Sequence, residues 1–173
     1  MSDRTGVDPL VRIRRVEPVE WKAYRDLRLE ALRSDPLAFG STLEREQGFS
    51  EDQWRDRITR DPPVSPSATW AAVDRADGFV GTVVAARVDG AFHVFAMWVA
   101  PQLRGKGIGG RLLDAALEWV DRLAPGSEIW LEVNPREVAA VGLYGSRGFR
   151  PTGRSSALGH TPGERVNEMI RPA

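Results

Sequence analysis

The chain contains no cysteine, which excludes disulfides, thiolate metal sites and a cysteine nucleophile. Histidine is nearly absent too: His93 and His160 stand far apart, so no histidine-based metal site is expected. Lys22 and Lys106 are the only lysines beside 22 arginines, a bias more simply ascribed to codon composition than to function. Formal charges cancel to a net charge of zero, so no basic face is implied and nucleic acid is not an expected partner. No apolar run approaches the roughly 20 residues of a membrane span, and no secretory leader precedes the first charges. A soluble, cytoplasmic protein is the expectation. At 173 residues, with 42% hydrophobic and 28% charged residues, the chain is long enough for one domain with a substantial core.

Residues 1–10 show no periodicity and read as a loose tail, leaving 11–173 as a single domain. VRIRRVE (11–17) alternates as a strand does. From Pro18 to Arg33, Trp21, Tyr24, Leu27 and Ala31 recur at helical spacing, with Leu32 flanking the same face, and Asp35-Pro36 stops the helix. Residues 37–50 lack a clear period and suggest a functional loop or irregular helix. Ser50, followed by two acids, opens a short helix around Trp54 and Ile58. After a Pro-rich linker (61–67), three strand-like runs at 68–74, 79–89 and 91–101 are joined by ADG and DG turns, as in an antiparallel meander. Leu113, Ala116, Leu117 and Val120 line one face of the next helix. EIWLEVN (128–134) is a buried-type strand, 135–147 a further helix, and strands from Phe149 and over 165–171 close the chain. The strand–helix–strand crossover in the middle should be parallel and right-handed.

Between the third meander strand and its following helix, four glycines occupy six positions, in RGKGIGG (104–110). Gly105, Gly107 and Gly110 fit a dinucleotide fingerprint, and Glu132 stands roughly 20 residues beyond it. Three features oppose that oxidoreductase reading. A five-residue approach, Pro101 to Gly105, leads off the strand; about 100 residues of mostly antiparallel pattern precede the motif, with too little chain after it for more βαβ units; and Arg104 and Lys106 suit more negative charge than one pyrophosphate. A Walker A loop fails because Lys106 is followed by Gly107. The alternative is Arg104-x-x-Gly107-x-Gly109 at a helix start, where converging backbone N–H groups and the helix dipole attract an anion. Glycines there would let the backbone approach phosphate.

VFAMWVAPQLRGKGIGGRLL resembles the acetyl-CoA-binding motif R/Q-x-x-G-x-G/A of the GNAT superfamily of N-acetyltransferases. LEVNPREVAAVGLYGSRGF (131–149) resembles that family's strand and the helix bearing L-Y-x-x-x-G-F. The order and spacing of the two match, and the element order agrees from Val11 onward. The resemblance implies a mixed α/β (α+β) fold: a central, mostly antiparallel sheet with one parallel βαβ crossover, flanked by helices. It implies acetyl-CoA as cosubstrate, bound by Arg104, Gly105, Lys106, Gly107, Ile108, Gly109 and Gly110 at the pyrophosphate. Met97, Trp98 and Val99 would pair with the pantetheine arm, and a backbone N–H near Trp98 or Val99 would hold the oxyanion. In the family, this strand and the next splay apart to admit the thioester.

Tyr144 matches the family tyrosine that protonates or hydrogen-bonds the leaving sulfur. Without cysteine, direct attack by an amine in a ternary complex is favoured over an acetyl-cysteine route. Glu132 ranks first as general base, ahead of His93, Glu44 and Glu46. Glu137 departs from the asparagine many relatives carry seven residues before the tyrosine. Asn134 is the candidate to supply the missing coenzyme contact, although Asn134, Pro135 and Glu137 also read as N-cap, N1 and N3 of a capping box. Phe39, Phe49, Trp54 and Trp70 are more simply core than acceptor wall. The acceptor, a small molecule or a peptide or protein amine, carries no legible code, and homodimers are common in the family. A non-catalytic acyl-CoA sensor is the remaining alternative.

Overall fold

Asp89 and Gly90 both adopt positive φ, 49° and 87°, as a two-residue type I′ hairpin requires. They join β4 (Phe79–Val88) to β5 (Ala91–Val99). Asp74 organises the preceding turn, where its carboxylate accepts from Ala76 and Gly78 N–H at 2.9 Å and leads β3 (Ser67–Val73) into β4. The computed structural model describes residues 11–60 and 66–173. The tail expected over 1–10 and most of the linker at 61–67 lie outside these.

The elements run β1 (Arg12–Arg15), α1 (Trp21–Ser34), α2 (Leu43–Gln47), α3 (Glu51–Ile58), β2 (Thr59–Arg60), the meander β3–β5, α4 (Ile108–Leu123), β6 (Ile129–Val133), α5 (Val138–Ser146), β7 (Arg150–Ala157) and β8 (Arg165–Arg171). The sheet order is β1-β3-β4-β5-β6-β8-β7, with β2 also pairing with β3. Every pairing is antiparallel except β5 with β6. The crossover through α4 is therefore parallel, as expected.

β3 is buried along its whole length, and its side chains alternate between two cores. Trp70 and Ala72 join Leu112, Leu113, Ala116, Leu117 and Val120 of α4. Ala71 and Val73 join Tyr24 of α1 and Trp54 and Ile58 of α3. Helices thus cover both faces of the sheet, α4 and α5 on one side and α1 and α3 on the other. Each fully buried aliphatic side chain in these layers contributes about 1.5–3 kcal/mol. The periodic residues of α1 (Trp21, Tyr24, Leu27, Ala31, Leu32) are all buried. Ser50 and Gln53 cap α3 reciprocally, each side chain accepting from the other's backbone N–H.

Two local expectations are corrected and a third is narrowed. Pro18 sits in a short 3-10 turn (Pro18–Glu20) ahead of α1 instead of in its first turn. Of the loop or irregular helix expected over 37–50, the structure forms a short helix, α2, capped by Thr42. The helix expected over 135–147 begins only at Val138, with Glu137 as N-cap and no side-chain cap bond. Asn134 instead closes a turn, its Oδ1 accepting from Arg136 N–H at 3.0 Å. This Asx turn competes with the capping box because the same short side chain can serve either one.

Candidate active site

Only Phe92–Ile129 and His93–Trp130 are paired between β5 and β6; beyond them the two strands part. Just past that point β5 carries a bulge: Val84 faces Phe95, but Thr82 faces Trp98, so three steps on β5 match two on β4. Ala96 takes the extra step with φ 51°. Alanine has no preference for that conformation, so nothing in the sequence signalled it.

A cavity of about 420 Å³ lies on the α4–α5 side of this opening. Met97, Trp98, Val99, Arg104, Gly105, Gly107, Ile108, Gly109, Gly110, Glu132, Asn134 and Tyr144 all line it. Lys106, exposed on the same loop, does not. Trp98 contributes backbone there, because its ring is buried with Leu27, Ala31 and Phe39 and its Nε1 donates to Asp35 at 2.7 Å.

The glycines divide by cause. Gly105 and Gly107 both have φ 75°, a left-handed conformation that leads the chain into the start of α4. Gly109 and Gly110 sit close to long side chains: an added Cβ would stand 3.3 Å from Met97 Cε and 2.6 Å from Arg147 Nη2, so these flexible ends would have to move. In contrast, Gly142 and Gly145 of α5 have open space around them.

Arg104 is tied to the protein itself. Its Nε donates to the Val99 carbonyl at 2.9 Å and its Nη2 to Asp35 at 2.6 Å. Burial opposes ionisation of Asp35, but hydrogen bonds from Arg104, Trp98 and Ser34 outweigh it and hold the carboxyl below its usual range. Asp35 was missed in the sequence because it read only as a helix stop. Arg147 was missed as well; it packs against Gly110 and pairs with Asp114 at 3.0 Å.

The Tyr144 ring is buried edge-on against Phe149, at 6.0 Å between centroids. Burial, reinforced by the charge of Glu137, pushes its hydroxyl far above the ordinary tyrosine range. The phenol stays protonated and can only be a hydrogen-bond donor or a neutral acceptor at physiological pH.

A second cavity, of about 820 Å³, opens on the α1–α3 side. Ala38, Val94, Phe95, Ala96 and Glu132 line both cavities, which meet where β5 and β6 part. Glu132 is the titratable residue of that shared set, and Ser156 Oγ donates to it at 3.0 Å. His93, stacked on Phe95 at 5.6 Å, also faces the larger cavity. Burial pushes the His93 imidazole below its ordinary value, against the upward pull of Glu132 and Glu168.

Glu44 is exposed and lines neither cavity, whereas Glu46 is fully buried and chelated by Arg28. Of the four aromatics, Phe39 reaches the larger cavity; Phe49 and Trp54 pack together, and Trp70 belongs to the main core.

The chain belongs to the Acetyltransferase (GNAT) family, whose sequence profile matches residues 21–149. Among curated relatives, the peptidyl-lysine N-acetyltransferase YjaB of Salmonella typhimurium is 38% identical over 86 residues. That match covers 50% of this chain and 52% of the relative, so the chain spans about half the length of the curated relatives it matches. A GCN5-related N-acetyltransferase from Kribbella flavida superposes with a TM-score of 0.73 at 22% identity, covering 95% of this chain and 98% of that one. PaiA N-acetyltransferase from Thermoplasma acidophilum, solved with coenzyme A, superposes at 0.70 with 14% identity, over 94% and 99%. At these identities the likeness to solved structures is one of architecture. No helix among the described residues is long and apolar enough to cross a membrane.

Proposed function

We propose that residues 11–173 form one acetyltransferase domain that moves the acetyl group of acetyl-CoA onto a primary amine by direct attack in a ternary complex. The observation that carries this reading is the meeting of two cavities, one on each face of the sheet, at the β5–β6 opening. A thioester laid in from one side and an amine from the other would meet there with no covalent relay.

In this reading the N–H groups from Gly105 to Gly110 bind the coenzyme's pyrophosphate. Met97 to Val99 pair with its pantetheine amides, and Asn134 adds a polar contact. The amine nitrogen attacks the acetyl carbon, and the oxyanion is held by a β5 backbone N–H near Trp98 or Val99. Glu132 takes the proton lost by nitrogen. The C–S bond then breaks, and the Tyr144 hydroxyl donates a hydrogen bond to the departing sulfur. A phenol raised this far is a weaker acid than a free thiol, whose pKa is about 8.5, so the thiolate gains its proton from solvent.

Calorimetric titration tests the coenzyme directly. Acetyl-CoA should bind and NADH should not; the reverse would overturn the reading. Thiol release over an amine panel then separates an enzyme from a sensor, which would bind acetyl-CoA and release no coenzyme.

A further inference from the structure

The larger cavity is charged in opposite senses at its two walls. On the β5, β6 and β8 side stand His93, Glu132 and Glu168, suited to receive an ammonium group. On the α1–α3 side stand Arg28 and Arg57. Arg28 is only 4% exposed, and its Nε and Nη2 grip Glu46 at 3.0 and 2.9 Å, while Arg57 Nη2 adds a third bond to Glu46 at 3.3 Å. Arg28 thus pairs bidentately with Glu46, and Arg57, about a third exposed, brings a second guanidinium to the same carboxylate. Arg28 Nη1 and Arg57 Nε are buried without a hydrogen-bond partner. Asp56 and Arg87 also line this cavity, both of them exposed.

Buried guanidinium donors left without a partner are costly. An anion completing the set removes that cost, and guanidinium matches a carboxylate in particular through its planar fork. His160 Nε2 lies 2.6 Å from the Phe39 carbonyl, joining the β7–β8 connection to the 37–42 loop where both line the cavity.

We infer that the acceptor is a small amino-acid-like amine, whose carboxylate is bound by Arg28 and Arg57 while its amine lies beside Glu132. This rests on the acetyl-transfer reading above. Its test is thiol release from acetyl-CoA with α- and ω-amino acids of graded length, each compared with its own carboxamide, and with a blocked lysine peptide. The acids should exceed their amides in kcat/KM by roughly tenfold to a hundredfold, the range for a charge-assisted hydrogen bond. Arg57→Gln should bring the two rates together. Arg28→Met alone would strand Glu46 and could unfold the chain, so the pair is removed as Arg28→Met/Glu46→Leu, which should also abolish the preference. Equal rates for acid and amide, a preference for the lysine peptide, or a preference that survives both variants would overturn the inference while leaving acetyl transfer intact. No thiol release with any amine would overturn acetyl transfer itself, and the inference with it.

Discussion

Tyr144 and Glu132 border the same opening but differ in setting, one enclosed against Phe149 and one exposed on β6. Tyr144→Phe keeps the ring packing and removes only the O–H. We expect kcat to fall by roughly tenfold or more with little change in acetyl-CoA affinity; unchanged steady-state turnover would assign the residue to packing alone. Glu132 faces Glu168 across the β6–β8 ladder, a like-charge pair that weakens the sheet. Glu132→Gln should therefore leave thermal stability unchanged or slightly raised, while kcat/KM falls on the order of a hundredfold. A loss of both together would point to a structural role.

At the scale of elements, the glycine loop is held by its neighbours as much as by its own sequence. Arg104 links it to Asp35 at the end of α1 and, through Asp35, to Trp98 on β5. Arg104→Ala should weaken acetyl-CoA binding by roughly 1–3 kcal/mol, and Asp35→Asn should weaken it in the same direction by loosening the loop. Calorimetry on both variants checks this, and unchanged affinity in both would remove the network from the site. Gly81 on β4 tests the packing beneath: an added Cβ would stand 3.0 Å from the Trp98 carbonyl and 3.2 Å from Leu112 Cδ1. Gly81→Ala should cost about 1–3 kcal/mol of stability, read from denaturant midpoints. The element pattern itself was legible because α1 and α4 show strong apolar periodicity. The start of α5 was not, because Asn134 suits an Asx turn as well as a cap.

For the molecule as a whole, the buried Arg28–Glu46 pair joins α1 to α2 beneath the larger cavity. Burial alone would raise the Glu46 carboxyl, but the Arg28 bonds and the charges of Arg28 and Arg57 hold it below its ordinary 4.5. Its folded pKa is depressed, so its contribution to stability is complete above the unfolded value and is lost as pH falls below about 4.5 toward the folded one. Glu46→Gln should flatten that acid limb in a pH series of thermal melts. At neutral pH the same variant should lose about 3–5 kcal/mol, the usual result of stranding a buried partner. An unchanged acid limb would place the titration elsewhere.

What the chain determined by itself were the features written in local pattern: the antiparallel meander with its DG turn, the amphipathic faces of α1 and α4, and the glycine-rich helix start with the partner motif ending in GLYGSRGF. Spacing along the chain encodes these, because each depends on neighbours within a turn or two. The tertiary structure alone decided the rest. The left-handed step at Ala96, the clamp of Asp35 on Arg104 and the two-arginine wall of the larger cavity each depend on residues far apart in sequence. No local periodicity records such contacts, since the field or space that makes each residue useful is created by the fold.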